Sequence, residues 1–72
     1  MEVKEKLALL EEIMDLDEGA LAPKMILANI KEWDSLAALT FIMLLDEKFS
    51  KNITANEIIK LKTIEDMLKV ME

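Results

Sequence analysis

The chain has no cysteine, no histidine, no arginine and no tyrosine, and only one glycine and one proline. Without cysteine there is no disulfide, no thiolate nucleophile and no zinc site built on sulfur. Without histidine it lacks the side chain best suited to general base work near neutral pH. All nine basic residues are lysines, so no guanidinium fork can grip phosphate or carboxylate bidentately. Fifteen acids against those nine lysines give a formal charge of −6, the wrong sign for binding nucleic acid. No apolar run approaches the roughly 20 residues that span a bilayer, so no membrane segment is expected. The opening Met1-Glu2-Val3-Lys4-Glu5-Lys6 has no signal-peptide pattern, which leads us to expect a cytoplasmic protein. This inventory argues against an autonomous enzyme, and no catalytic residue is assigned.

What is present fits one small folded unit. At 72 residues, the chain is expected to form a single domain over 1–72. Such a unit buries only about 60% of the surface its unfolded form exposes. Apolar residues make up 53% and charged residues 33%, a globular balance. With aromatics limited to Trp33, Phe41 and Phe49, the core must be built from Leu, Ile, Ala and Met. One glycine and one proline supply too little turn chemistry for a small β protein. The expected class is therefore all-α.

Val3, Leu7, Leu10 and Met14 recur at a four-three-four spacing, with Glu5, Lys6, Glu11 and Glu12 on the other side. That predicts an amphipathic first helix. Asp15 to Trp33 holds the glycine and the proline and reads as a long loop. Its Leu21, Ile26, Leu27 and Ile30 predict that it is pinned across a core. Asp34 reads as an N-cap for a helix from Ser35 to about Ser50. Thr54-Ala-Asn-Glu57 has capping-box spacing and opens a short helix. Thr63-Ile-Glu-Asp66 repeats the signal and opens a last one. The expectation is a bundle of three main helices plus one short helix, with the long loop between helices one and two.

Asp15, Asp17 and Gly19 suggest a calcium loop, but the register is wrong. The glycine falls fifth rather than sixth, and Ile26 stands where the bidentate acid belongs. No metal site is expected. Of the methionines, Met14, Met67 and Met71 lie on apolar helix stripes and read as core filler.

The helix from Ser35 is apolar nearly all round. At about 100° per residue two stripes separate. Ala38, Phe41, Ile42, Leu45 and Phe49 form the expected core face. Leu36, Leu39 and Met43, flanked by Asp46 and Glu47, form a second stripe. Either the long loop folds over that stripe, or it is a docking surface beginning one residue after Ser35.

Trp33-Asp34-Ser35-Leu36, following a long loop at the start of the second helix, resembles the attachment motif of acyl carrier proteins. Length, helix order, Asp46-Glu47-Lys48-Phe49, Ile53-Thr54 and Thr63-Ile-Glu-Asp66 extend the resemblance over essentially the whole chain. The resemblance implies that a phosphopantetheinyl transferase moves 4′-phosphopantetheine from coenzyme A to Ser35. Asp34 and Leu36 would belong to the recognition motif, and Leu39, Met43, Asp46 and Glu47 would help dock partners. An acyl group would then ride on the thiol of the arm as a thioester. Acyl-activating, acyltransferase or synthase enzymes would be the partners of a monomeric carrier.

The physical chemistry of the motif agrees. A phosphodiester on Ser35 would be an anion at a helix N-terminus, where free N–H groups and the dipole favour it. A thiol arriving with the arm would also account for a carrier without cysteine. The sequence departs from fatty-acid-type carriers in two respects. Lys31-Glu32-Trp33 stands where a glycine is usual, and Ala37, Ala38 and Thr40 replace early acids of the second helix. Trp-Asp-Ser is more similar to stand-alone carriers of specialised pathways. An aminoacyl or peptidyl carrier loaded by an adenylating ligase is the alternative within the class. Outside it stands a small helical interaction module that never receives a prosthetic group.

Overall fold

The computed structural model describes residues 2–72. It contains α1 (Val3–Ile13), a 3-10 turn (Leu27–Asn29), α2 (Ser35–Phe49), α3 (Ala55–Lys60) and α4 (Ile64–Val70), with no strand among the described residues. The chain is all-α, with helices of 11, 15, 6 and 7 residues in that order. The radius of gyration is 10.9 Å, close to the roughly 11 Å expected of a compact chain this long. The long connection therefore lies against the bundle.

The core joins all the longer elements. Leu10 and Met14 from the first helix meet Phe41 and Leu45 from α2 and Ile64, Met67 and Met71 from the end of the chain. Leu10, Phe41, Leu45, Ile64, Met67 and Met71 are completely buried. Met14, Met67 and Met71 are core, as their spacing predicts. Val3, on the same stripe, remains half-exposed.

The buried face of α2 is rotated from the expected one. Ala37, Phe41, Leu44 and Leu45 are buried, while Ala38, Ile42 and Phe49 are only partly so. A helix that is apolar on almost every side has no periodicity to set its phase. The neighbouring elements decide which stripe goes inward.

Each helix boundary has a local cause. Asp15, at φ 56°, turns the chain after α1, and its N–H donates to the Glu12 carbonyl. The Leu16 N–H donates to the Glu11 carbonyl at 2.8 Å. Together these bonds make a Schellman-type ending, here with aspartate in the left-handed position that more often holds glycine. The acids once suggestive of calcium thus begin a helix stop. Ser50, at φ 53°, closes α2 in the same conformation. Thr63 and Asp66 form a complete capping box on α4. At α3 only half of one forms. The Thr54 hydroxyl oxygen accepts from the Glu57 N–H at 3.3 Å, but the Glu57 carboxylate takes the Thr54 hydroxyl proton rather than its N–H.

The loop is pinned, as its apolar residues predict. Leu21, Leu27 and Ile30 are buried, whereas Ile26 stays half-exposed and forms an isolated bridge with Thr63. The loop also finishes the end of another helix. The N–H groups of Ile64 and Glu65, orphaned at the start of α4, donate to the carbonyls of Met25 (3.0 Å) and Pro23 (2.9 Å).

One polar residue departs from the expected pattern. Glu11, placed by periodicity on the solvent side of α1, is 5% exposed. Its Oε2 accepts from the N–H groups of Gly19 and Leu21, both at 3.0 Å. The returning loop covers the carboxylate while satisfying it, so a residue read as surface fastens the loop to α1.

Candidate functional site

The N-terminus of α2 is fixed from both sides. Upstream, Ile30 is buried and its carbonyl accepts from the Trp33 N–H at 3.1 Å. The half-buried Trp33 ring packs edge-on against Phe41, with centroids 6.1 Å apart and planes at 76°. Aromatic pairs favour this arrangement, and it anchors the residue just before the cap to the core. Downstream, Asp34 is the cap its sequence position predicts. Its Oδ1 accepts from the Ala37 N–H and its carbonyl from the Ala38 N–H, both at 2.9 Å.

Ser35 is consequently the first residue of a 15-residue helix and is exposed. Of the four N–H groups orphaned at this helix start, that of Ala37 is satisfied by the Asp34 carboxylate, while the Ala38 N–H makes the first intrahelical bond, to the Asp34 carbonyl. Those of Ser35 and Leu36 have no acceptor among the described residues. The exposed hydroxyl therefore stands beside two free donors at the positive end of the longest helix dipole in the chain.

Two shallow grooves flank this point. One, of about 450 Å³, runs from Trp33, Ser35 and Ala38 to Ile58, Ile59 and Leu61 of the α3 region. The other, of about 220 Å³, lies between Leu36, Asp34 and the end of α1 at Ile13 and Met14. The nearer wall of the first groove is apolar except for Asp34 and Ser35.

The second stripe of α2 is uncovered. Leu36 is 72% exposed, Leu39 55% and Met43 60%. The long loop does not fold over them. Asp46 and Glu47 are exposed one turn further along. The structure thus brings Ser35, Leu36, Leu39, Met43, Asp46 and Glu47 onto one face of one helix. Ile59, 77% exposed across the first groove, adds an apolar residue that sequence reading missed. Its signal was the Ile58-Ile59 pair, since a six-residue helix can turn only one of two adjacent side chains inward. Among the described residues no group of three acidic, histidine or cysteine side chains could hold a metal ion. No described helix is long and apolar enough to cross a membrane.

Comparison with known families gives one match: the family described as the phosphopantetheine attachment site aligns with residues 7–71. No curated protein and no solved structure matches the chain. Members of the family hold 4′-phosphopantetheine covalently and act as carriers that meet modifying and acyl-handling enzymes, rather than as catalysts. An exposed hydroxyl with free N–H donors beside it fits such a phosphodiester. The match spans nearly the whole chain, from α1 to the end of α4, and the protein belongs to the phosphopantetheine attachment-site family of carrier proteins.

Proposed function

We propose that residues 1–72 are a single carrier domain in which Ser35 is the attachment residue, and that the protein is an acyl carrier. The observation that supports Ser35 above all is its position. It is an exposed hydroxyl at the first turn of α2, next to the unsatisfied N–H groups of Ser35 and Leu36. In the loading step the Ser35 oxygen forms a new ester bond to phosphorus of coenzyme A. The nucleotide portion leaves, and the serine proton passes to the transferase. The group then supplies a thiol that holds the cargo as a thioester.

On this reading the chain's own residues bind and orient. Asp34 fixes the helix start without consuming the donors nearest Ser35. Leu36, Leu39 and Met43 offer an apolar docking stripe, and Asp46 and Glu47 a charged rim. Rim charges mainly steer encounter, whereas buried apolar anchors set residence time. The carrier works as a cytoplasmic monomer, loaded by an acyl-activating or acyltransferase partner.

The test is intact mass after incubation with coenzyme A and a broad-specificity phosphopantetheinyl transferase. One phosphopantetheine should be gained, and Ser35→Ala should abolish the gain. That variant should keep its melting point, because the cap is Asp34 and the loss stays below the ~1 kcal/mol of a removed N-cap. Modification at Ser50, the only other serine, would overturn the assignment. Loading with fatty-acyl rather than aminoacyl donors by the native partner decides the cargo.

A further inference from the structure

The buried carboxylate of Glu11 has a second oxygen that the fold leaves unused. Oε2 is held by the Gly19 and Leu21 N–H groups. Oε1 has no hydrogen-bond partner among the described residues, yet no buried polar side-chain atom there is both sealed and unsatisfied. Oε1 is therefore not sealed from solvent, and Glu11 lines the cleft between α1 and the loop. This carboxylate lies in a largely covered position, with one acceptor oxygen still free.

The cleft is about 360 Å³, at the small end of ligand-sized sites. Leu7, Ala8 and Leu21 give it apolar walls. At Gly19, which has φ +88°, nothing lies within 4 Å of where a side chain would start, so the loop leaves that side open. Around the cleft stand Glu5, Glu11 and Glu18 against Lys4, three negative charges and one positive. Lys4 makes no hydrogen bond to Glu11 among the described residues. None of these residues lines either groove beside Ser35, so the cleft is independent of the prosthetic-group reading.

We propose that this cleft is a binding site for a small primary aliphatic amine, bound as its ammonium ion. The ammonium donates to Glu11 Oε1 and the alkyl chain lies against Leu7, Ala8 and Leu21. An ammonium has three donors and no acceptor, the complement of a carboxylate oxygen without a donor. Carboxylates and phosphates would meet the net negative rim, and an alcohol would lack the charge-assisted bond. A lysine side chain of another protein has the same chemistry. The small volume of the cleft favours the free amine.

The test is an NMR titration of the ¹⁵N-labelled full chain with hexylammonium, hexanol, hexanoate and N-acetyl-lysine amide at constant ionic strength. Hexylammonium should give saturable shifts at the Gly19, Leu21 and Ala8 amides, and hexanol and hexanoate should not. Glu11→Gln keeps an oxygen to accept from both loop amides but removes the charge. It should weaken hexylammonium by about tenfold or more, the size of a lost charge-assisted bond. Ala8→Phe fills the cleft without touching the Glu11 bonds and should abolish the shifts, which keeps the test valid if Glu11→Gln does not fold. The proposal is overturned by any of four results: no saturation with hexylammonium, equal saturation with hexanol, unchanged binding in both variants, or tighter binding of N-acetyl-lysine amide.

Discussion

Met43 and Leu44 are neighbours in one helix and should respond oppositely to the same substitution. Met43 is 60% exposed and Leu44 8%. Full burial of such a side chain stabilises by about 1.5–3 kcal/mol, so the covered part of Met43 contributes roughly 1 kcal/mol. Methionine and glutamate have similar helix propensity. A glutamate at 43 would face Asp46 and Glu47 three and four residues on, with repulsion of about 0.2–0.5 kcal/mol for each pair. Met43→Glu should therefore cost about 1–2 kcal/mol, a melting point lower by roughly 5–15 °C for a domain of this size. Leu44→Glu loses a core side chain, about 2–5 kcal/mol for the cavity alone, and adds a buried charge without a partner. Stability of a chain this short is on the order of 5 kcal/mol, so Leu44→Glu should be unfolded at 25 °C. Thermal melts followed by far-UV circular dichroism separate the two. Loading by the native acyl-activating partner then reads docking, which Met43→Glu should sharply reduce and Glu47→Ala should scarcely change in moderate salt. If Met43→Glu unfolds the chain as Leu44→Glu does, the stripe is core and the docking argument fails.

Two further outcomes concern the helix starts. Asp34→Ala removes the acceptor of the Ala37 N–H and should lower stability by about 0.5–2 kcal/mol, seen as a lower urea midpoint with unchanged slope. Asp34→Asn should restore most of it, and an Ala variant as stable as the parent would refute the cap. Asp66 has its pKa lowered from 3.8, first by the Lys62 N–H and then by the Thr63 N–H bonding to its carboxylate. A folded pKa below the unfolded one gives stabilisation that is complete above about pH 4 and lost as pH falls through the folded value. Asp66→Asn should flatten that acid limb, measured as urea midpoint against pH, and an identical limb in both proteins would refute the assignment.

Three helix starts are legible in the sequence because capping is short-range. Asp34, Thr54 and Thr63 each satisfy an N–H three residues on, a relation readable wherever the residue types stand at that spacing. The proposed attachment motif is legible for the same reason, since Asp34 and Ser35 are adjacent and the helix they open follows at once. The buried methionines at 14, 67 and 71 follow from periodicity on helices with a clear polar side.

The phase of α2 was not legible. With apolar residues on most of its faces, Leu44 and Ile42 look equivalent along the chain. Only the positions of α1, α4 and the loop put Leu44 inside and leave Leu36, Leu39 and Met43 outside. Glu11 shows the same division, because a glutamate between Leu10 and Glu12 reads as solvent-facing until Gly19 and Leu21 return to donate to it. The α4 start depends on carbonyls of Pro23 and Met25, some forty residues earlier. Helix identity, caps and the serine at the first turn of α2 were thus determined by the sequence, through interactions within about four residues. The exposed stripe, the amine cleft and the covering of Glu11 were decided by the tertiary structure, because each depends on which distant groups a side chain meets.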